Sequence, residues 1–460
     1  MVWSREDNIV ESKGGDQYFH PSPSASDKAI NSNSLKLDMT VAGCWSDDSS
    51  LQLESTTLFR KLSTERLPPI EQVISSGLVP RFVSFLMKED HPQLQCEAAR
   101  ALTNITLAPP SHHTGPFCKL KTSDNTQLLI NHNAVPIFVK MLSSPRDDIR
   151  ELAVEALGHV ARDSPQSRDL VLACGAMTPL LNQLKMHGPC NFSMIEITSW
   201  TLVQLCRQWP DQVICALPAL VWFIYMNDAQ VLKDSCVIIS NLYYEPEEVI
   251  SSRCKPVVDA GLVARFVELL HHPSRAVNCA ALLSISAVTT DNCQQIQTVI
   301  NSGALPLLRD FLTRGCKEEI ARCACLAIRR ITRGTNDQIK AVIDAGLIPL
   351  LVTLSQNAQL VCQEVAALAI ANAIIYAPYD QISVLLEQGC TKPICDLLVS
   401  THPRVLSTCL DALGKILRCG GRYAALIDDK AEAIEKLKSH EDRDVFNRAY
   451  DICESWSYSY

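Results

Sequence analysis

One phrase recurs along this chain at near-constant spacing, and it constrains the fold more than any other feature. The phrase is an aliphatic pair, a small or polar pair, Gly, a hydrophobe, Pro, then an aliphatic stripe. It appears as Val73-Ile74-Ser75-Ser76-Gly77 with Pro80 and as Leu129-Ile130-Asn131-His132-Asn133 with Pro136. Cys174-Gly175 with Pro179 follows, then Ala260-Gly261 with Ala264 in place of proline. Ser302-Gly303 with Pro306, Ala345-Gly346 with Pro349 and Gln388-Gly389 with Pro393 complete the set. The steps from 133 to 175 and from 261 to 303 are 42 residues, and the next two are 43. The 86 residues from 175 to 261 hold two periods, with a weaker copy at Leu217-Pro218. Only the step from 77 to 133 breaks the rule: at 56 it is about 14 residues too long, which places a surface loop near 108–121.

Each period reads as helices. A helix ends at Gly, where a left-handed cap carries no Cβ penalty, and Pro sits in the first turn of the next. The stripe that follows (Leu347, Leu350, Leu351, Leu354) has helical spacing, and a second run such as Cys325–Ile331 comes after it. No alternating strands joined by Gly- or Pro-rich hairpins occur. A helix-only repeat of 42–43 residues with Gly and then Pro at the junction is the armadillo/HEAT signature. The expected fold is therefore all-α: a right-handed armadillo-repeat superhelix, an α-solenoid with one concave groove. About nine copies fit from Ser50 to Leu417, with a partial tenth near Ala431–Trp456. One elongated domain is expected over 45–456, ahead of a short tail at 457–460. Residues 1–44 are rich in Ser, Asn, Asp and Pro (Pro21-Ser22-Pro23-Ser24-Ala25-Ser26) with no periodic apolar face, and are expected to be disordered.

Composition narrows the function. The N-terminus lacks the basic start and apolar run of a signal peptide, so the 20 Cys read as reduced, buried small hydrophobes. The longest apolar runs, Ala216–Met226 and Val365–Ala377, are too short to span a bilayer, so no membrane is expected. A net charge of −8 argues against a nucleic-acid surface and permits a basic partner. Neither Gly-x-Gly-x-x-Gly nor a Walker loop is present. Cys-x-x-Cys is missing too, and Cys323 and Cys325 would point to different sides of a helix. His112-His113 and His271-His272 are adjacent rather than at ligand spacing. No catalytic residue, metal or cofactor is expected, and the chain does not read as an enzyme.

In an armadillo repeat the third helix lines the concave face, and positions four apart on it project together. The same two positions down the repeats are Arg100/Asn104, Glu155/His159, Trp200/Gln204, Val237/Asn241, Leu282/Ser286, Leu326/Arg330 and Leu368/Asn372. Beyond the insertion, the second positions follow at steps of 37 to 45 residues, a register that supports the ladder as geometry.

Here the sequence resembles importin-α, the adapter family that carries nuclear-localisation-signal cargo, and most of all its plant branch. The stretches that carry the likeness include Val41–Glu54, Phe59-Arg60-Lys61-Leu62 with Pro68-Pro69-Ile70-Glu71, and His91-Pro92-Gln93-Leu94-Gln95. Ala101-Leu102-Thr103-Asn104-Ile105, Asp163-Ser164-Pro165, Asp337–Ile343 and Lys392–Leu398 extend it over about residues 41–456. The resemblance implies a groove in which Trp faces build slots for Lys and Arg stems, by apolar contact and cation–π attraction. Asn amides hold the cargo backbone extended, and an acidic residue pairs the key lysine. Position by position it implies a major peptide site of Asn104, Asp163, Trp200, Gln204 and Asn241, and a minor site at Asn372. Thr126 and Arg207 match further family positions. The implied partners are cargo proteins with Lys/Arg-rich signals, with an export receptor at the C-terminal repeats, in cytoplasm and nucleus.

The residues also depart from the family. Of seven ladder positions only Trp200 keeps tryptophan. Arg100 and Arg330 put positive charge where a basic peptide should lie. Loss of two of three major-site slots, at roughly 0.5–2 kcal/mol each, costs about one to three decades of affinity. Residues 1–44 hold Arg5, Lys13, Lys28 and Lys36 against six acidic residues, where the family has a long basic segment that binds importin-β. This chain is thus not expected to recruit importin-β in the family's way. The alternative reading is an armadillo scaffold whose groove has been repurposed or has fallen inactive.

Overall fold

The computed structural model describes residues 39–63, 74–107, 123–186, 191–207, 210–244, 255–289, 293–313, 318–358, 360–419, 425 and 427–457. Among these residues every regular element is a helix. They fall into two compact units. One holds the described residues up to 107 together with 124–137; the other holds Ser123 and everything from Phe138 on.

The repeat junctions form as the sequence predicts. Asp344 ends one helix, Ala345 caps it, and Gly346 follows in the left-handed region at φ 70°. The Gly346 N–H donates to Ile343 O at 2.9 Å and the Leu347 N–H to Val342 O at 3.4 Å, the paired closure of a Schellman turn. The next helix, Ile348–Asn357, starts at once with Pro349 in its first turn. Asn133 takes the same left-handed conformation at φ 61° without being glycine, which Asn tolerates better than most residues. The weaker copy at Leu217-Pro218 behaves otherwise. The helix Pro210–Phe223 runs straight through Pro218, so this repeat has no break at that point.

Each repeat's last helix serves as a spine helix, labelled here α1 to α9. In the first unit, α1 (Pro92–Leu107) packs against Ser49–Leu62 and Leu78–Leu86. In the second unit α2 (Asp147–Asp163), α3 (Phe192–Cys206), α4 (Ala229–Ser240), α5 (Arg275–Val288), α6 (Glu318–Ile331), α7 (Leu360–Tyr376), α8 (Pro403–Arg418) and α9 (Arg443–Ser457) stack each on the next. Shorter helices of the same repeats cover them from one side: Leu262–Leu269 on α5, Ala304–Thr313 on α6 and Ile348–Asn357 on α7.

A spine helix held between two others must present apolar side chains to both neighbours. The buried residues of α6 accordingly include Ile320, Ala321, Cys323, Ala324, Cys325, Ala327, Ile328 and Ile331. Ala and Cys let the helices approach closely. Cys323 and Cys325 do point to different neighbours: the first meets the Cys279 thiol on α5, the second the Cys362 thiol on α7. Burial pushes the Cys390 and Cys409 thiols up to about 12, which keeps them protonated and inert.

Polar side chains tie helices together within a repeat and from one repeat to the next. The Asn278 amide donates to the carbonyls of Leu269, Leu270 and His272, closing the end of the preceding helix. The Gln183 amide reaches Leu142 O at 2.7 Å. His272 Nδ1 accepts the Ser274 N–H, so that histidine caps a turn.

The N-terminal boundary needs correction. Residues 39–45 are helical, with Thr40 and Cys44 buried, although 39–44 fall within the segment expected to be disordered. Two turns are too few to show a helical period. They are held by tertiary contact: the Cys44 thiol meets Thr56 Oγ1 at 3.8 Å, and Gly43 lies so close to Ser55 that no Cβ fits. Residues 1–38, the expected insertion loop at 108–121 with His112-His113, and the last tail residues 458–460 lie outside the described residues.

Candidate peptide-binding ladder

The first unit contributes one rung, on α1. Arg100 is exposed and pairs with Glu97 at 3.2 Å; Glu97 also holds Arg60 at 2.5 Å. Asn104 is half-buried, and its amide donates to Ser63 Oγ at 2.8 Å. Thr126 belongs to this unit and is fully buried.

The second unit holds the other rungs on successive stacked helices. Trp200 on α3 is half-buried and packs back against α2. Its ring lies 4.8 Å from the His159 ring, tilted by 54°. It can come so near because residue 158 is glycine. A Cβ there would sit 2.3 Å from Trp200 Cζ3 and 2.6 Å from Thr201 Oγ1, and Thr201 Oγ1 is itself donated to Val154 O at 3.1 Å. Glu155, where a second indole would stand, is 40 % exposed and lies 3.9 Å from His159 Nε2. On this side Trp200 is therefore flanked by an imidazole and, beyond it, a carboxylate rather than by a second indole.

Beyond Trp200, Gln204 is buried and its amide donates to Trp200 O at 3.3 Å. Asn241 stands just past the end of α4, in the short 3-10 turn Asn241–Tyr244. It is 6 % exposed, and among the described residues its Nδ2 has no hydrogen-bond partner. A buried donor without an acceptor is costly, about 1–3 kcal/mol, and native structures rarely leave one so. Asp163 ends α2, half-buried, with Oδ2 accepting the Ser123 N–H at 2.9 Å. Arg207 follows α3; its guanidinium reaches Arg162 O at 3.5 Å and its own carbonyl accepts from Arg168 at 2.5 Å.

The far rungs differ in character. Leu282 and Leu368 are buried in packing and Leu326 is half-buried. Asn372 on α7 is buried, with its amide donated to Arg329 O at 3.0 Å. One more rung continues the register: Lys415 follows Asn372 by 43 residues, with Asp411 four before it. Lys415 Nζ donates to Ile375 O at 2.7 Å and Ala377 O at 2.6 Å, closing the end of α7 from the next repeat.

Sequence reasoning missed three residues here. Gly158 left a trace, since an isolated glycine in a helical run costs about 1 kcal/mol against alanine and so marks a close approach. Lys415 needed only one more step down the ladder. Asp234 left none. This carboxylate on α4 is buried, accepting from Gln230 at 2.9 Å and from Ser199 on α3 at 3.2 Å, and burial raises its pKa.

Comparison with known proteins agrees with this architecture. The Armadillo/beta-catenin-like repeat model matches residues 68–107, 122–162, 335–374 and 378–418. A crystal structure of an engineered protein superposes with a TM-score of 0.77 at 23% identity, covering 92% of this chain and 99% of that one. The fold is thus an all-α armadillo solenoid. Importin subunit alpha-1b of Oryza sativa subsp. japonica is 44% identical over 91% of this chain and 78% of its own length. Importin subunit alpha-2 of Arabidopsis thaliana is 46% identical over 95% and 82%. The chain belongs to the importin-α family. That family consists of adapters rather than enzymes, and among the described residues no group of three or more His, Cys, Asp or Glu side chains could hold a metal ion.

Proposed function

We propose that this chain is an importin-α-type adapter that binds the basic nuclear localisation signals of cargo proteins, for their import into the nucleus. One observation carries the reading: the buried, unsatisfied Asn241 amide stands one spine helix beyond the half-buried Trp200. The fold gives that donor no acceptor among its described residues; the carbonyl of an extended peptide would.

In this reading a Lys or Arg stem lies along the Trp200 face, which Gly158 and His159 hold in place. Asp163 is the counter-charge for one lysine. Ser123 fixes its Oδ2, and Oδ1 offers its lone pairs. Gln204 and Asn241 hold the peptide backbone; within the first unit, Asn104 on α1 carries an amide that Ser63 orients. Glu155 attracts a cation without stacking on it. Asn372 serves a weaker second site, since no indole flanks it. Cargo is then bound in the cytoplasm and released in the nucleus. The helices α8 and α9 are where an export receptor would meet the chain.

The test is fluorescence anisotropy of a labelled Lys/Arg-rich signal peptide against the full chain at two salt concentrations. Binding in the micromolar range or tighter that weakens with salt, and that Asp163→Lys abolishes, supports the reading. A well-folded chain that binds no such peptide sinks it and leaves the scaffold alternative.

A further inference from the structure

Each of the two helices that meet at Trp200 carries a solvent-facing carboxylate less than about one turn from the level of the ring. Glu155 on α2 stands three residues before Gly158, on which the indole leans. It is 40 % exposed and 3.9 Å from His159 Nε2, and the His159 ring in turn lies 4.8 Å from the indole. Glu196 on α3 is exposed and stands four residues before Trp200, so the two share one face of that helix. The other charges of α2 and α3 are engaged or lie further off. Glu151 accepts from Asn191 at 3.0 Å and from Ser193 at 3.4 Å, tying α2 to the start of α3. The buried Arg150 donates to Ser144 O and to Asp147, back at the start of α2. Arg162 is exposed three residues past His159, and Arg207 follows the end of α3. These two cations oppose any incoming cation alike, so they affect how tightly one binds and not which one.

We propose that the Trp200 seat selects arginine over lysine in a bound basic peptide, and that Glu155 and Glu196 make the choice. This rests on the groove reading above and concerns one position of the peptide. Between two parallel indoles a lysine stem would find apolar contact on both sides. Here one indole remains, and what flanks it is imidazole and carboxylate. A lysine laid on the single ring keeps only half of that apolar contact, and its compact ammonium stays strongly hydrated. Arginine keeps more. Its flat guanidinium stacks on the indole face, while its N–H donors point outward in the plane of the fork, toward carboxylates that stand beside the ring. Asp163 lies eight residues on from Glu155, about 12 Å along α2, and so takes its lysine at another position of the peptide.

The test is anisotropy titration of the full chain with a labelled run of lysines flanked by Gly and Ser, and with the set in which each lysine in turn is replaced by arginine. Wild type is compared with Glu155→Gln, Glu196→Gln and the double variant. Both side chains reach solvent, and thermal melts confirm folding. At least one single-arginine peptide should bind wild type threefold or more tighter than the all-lysine peptide. That gain should shrink in each single variant and vanish in the double variant. Equal affinities throughout the set, or a gain that survives intact in the double variant, overturns the proposal and leaves the import reading standing. A folded chain that binds no peptide of the set overturns both.

Discussion

At the scale of single residues, the proposed site depends on one indole and on the glycine behind it. Trp200→Ala removes a single cation–π slot, and the basic peptide should weaken about 2- to 30-fold, the range that 0.5–2 kcal/mol spans. Anisotropy titration reads this directly, and an unchanged affinity would place the peptide elsewhere. Gly158→Ala acts on the same slot from behind. Its new methyl group meets Trp200 Cζ3 and Thr201 Oγ1, both well inside contact distance. Overpacking of this kind costs about 1–3 kcal/mol, and the displaced indole should lower peptide affinity as well. A stable Gly158→Ala chain with wild-type binding would show that Trp200 has room to move. Trp200 itself was legible in the sequence because the repeat register exposes equivalent positions. Its partner Gly158 was half-legible, as a helix-interior glycine with no local reason.

At the scale of elements, the junctions and the spine make opposite demands. The junctions need left-handed backbone. At Gly346 nothing lies within 4 Å of an added Cβ, so the cost of Gly346→Ala is conformational alone. Denaturant unfolding should show a loss of about 1–2 kcal/mol. A neutral result would mean that the turn relaxes out of φ 70°. The spine needs polar groups that find partners between helices, and Asp234 is the costly case. Burial raises its folded pKa, so the folded state holds that proton more tightly than the unfolded chain does. Stability therefore falls as pH rises from the unfolded value, about 3.9, through the folded one, and is level beyond it. Asp234→Asn removes that dependence. Its oxygen still accepts from Gln230, and its amide can donate to Ser199 Oγ. Unfolding at several pH values should show the variant gaining on wild type as pH rises from 4 to 7; a constant gap would refute the buried-carboxylate account. The junctions were readable because Gly and Pro carry local backbone rules. Asp234 was not, because whether a polar residue faces a neighbouring helix depends on stacking that no local pattern states.

At the scale of the whole molecule, the period of 42–43 residues carried the fold. Each helix pair lacks a core of its own, so the stack follows from the repeat. The pairing of Cys323 with Cys279 and of Cys325 with Cys362 follows from the same stacking. What stayed illegible was tertiary: the start of the fold at residues 39–45, and the orientation of Asn104 by Ser63. The unsatisfied Asn241 donor was equally hidden, since a sequence shows a donor but not its lack of an acceptor. The central claim is that the groove reads a basic peptide residue by residue. A double-mutant cycle between Asp163→Asn and successive Lys→Ala changes in the peptide tests it most directly. The account predicts a coupling of about 1–3 kcal/mol at one lysine and none at its neighbours. Equal, near-zero coupling at every lysine, in a chain that still binds the peptide, would contradict it.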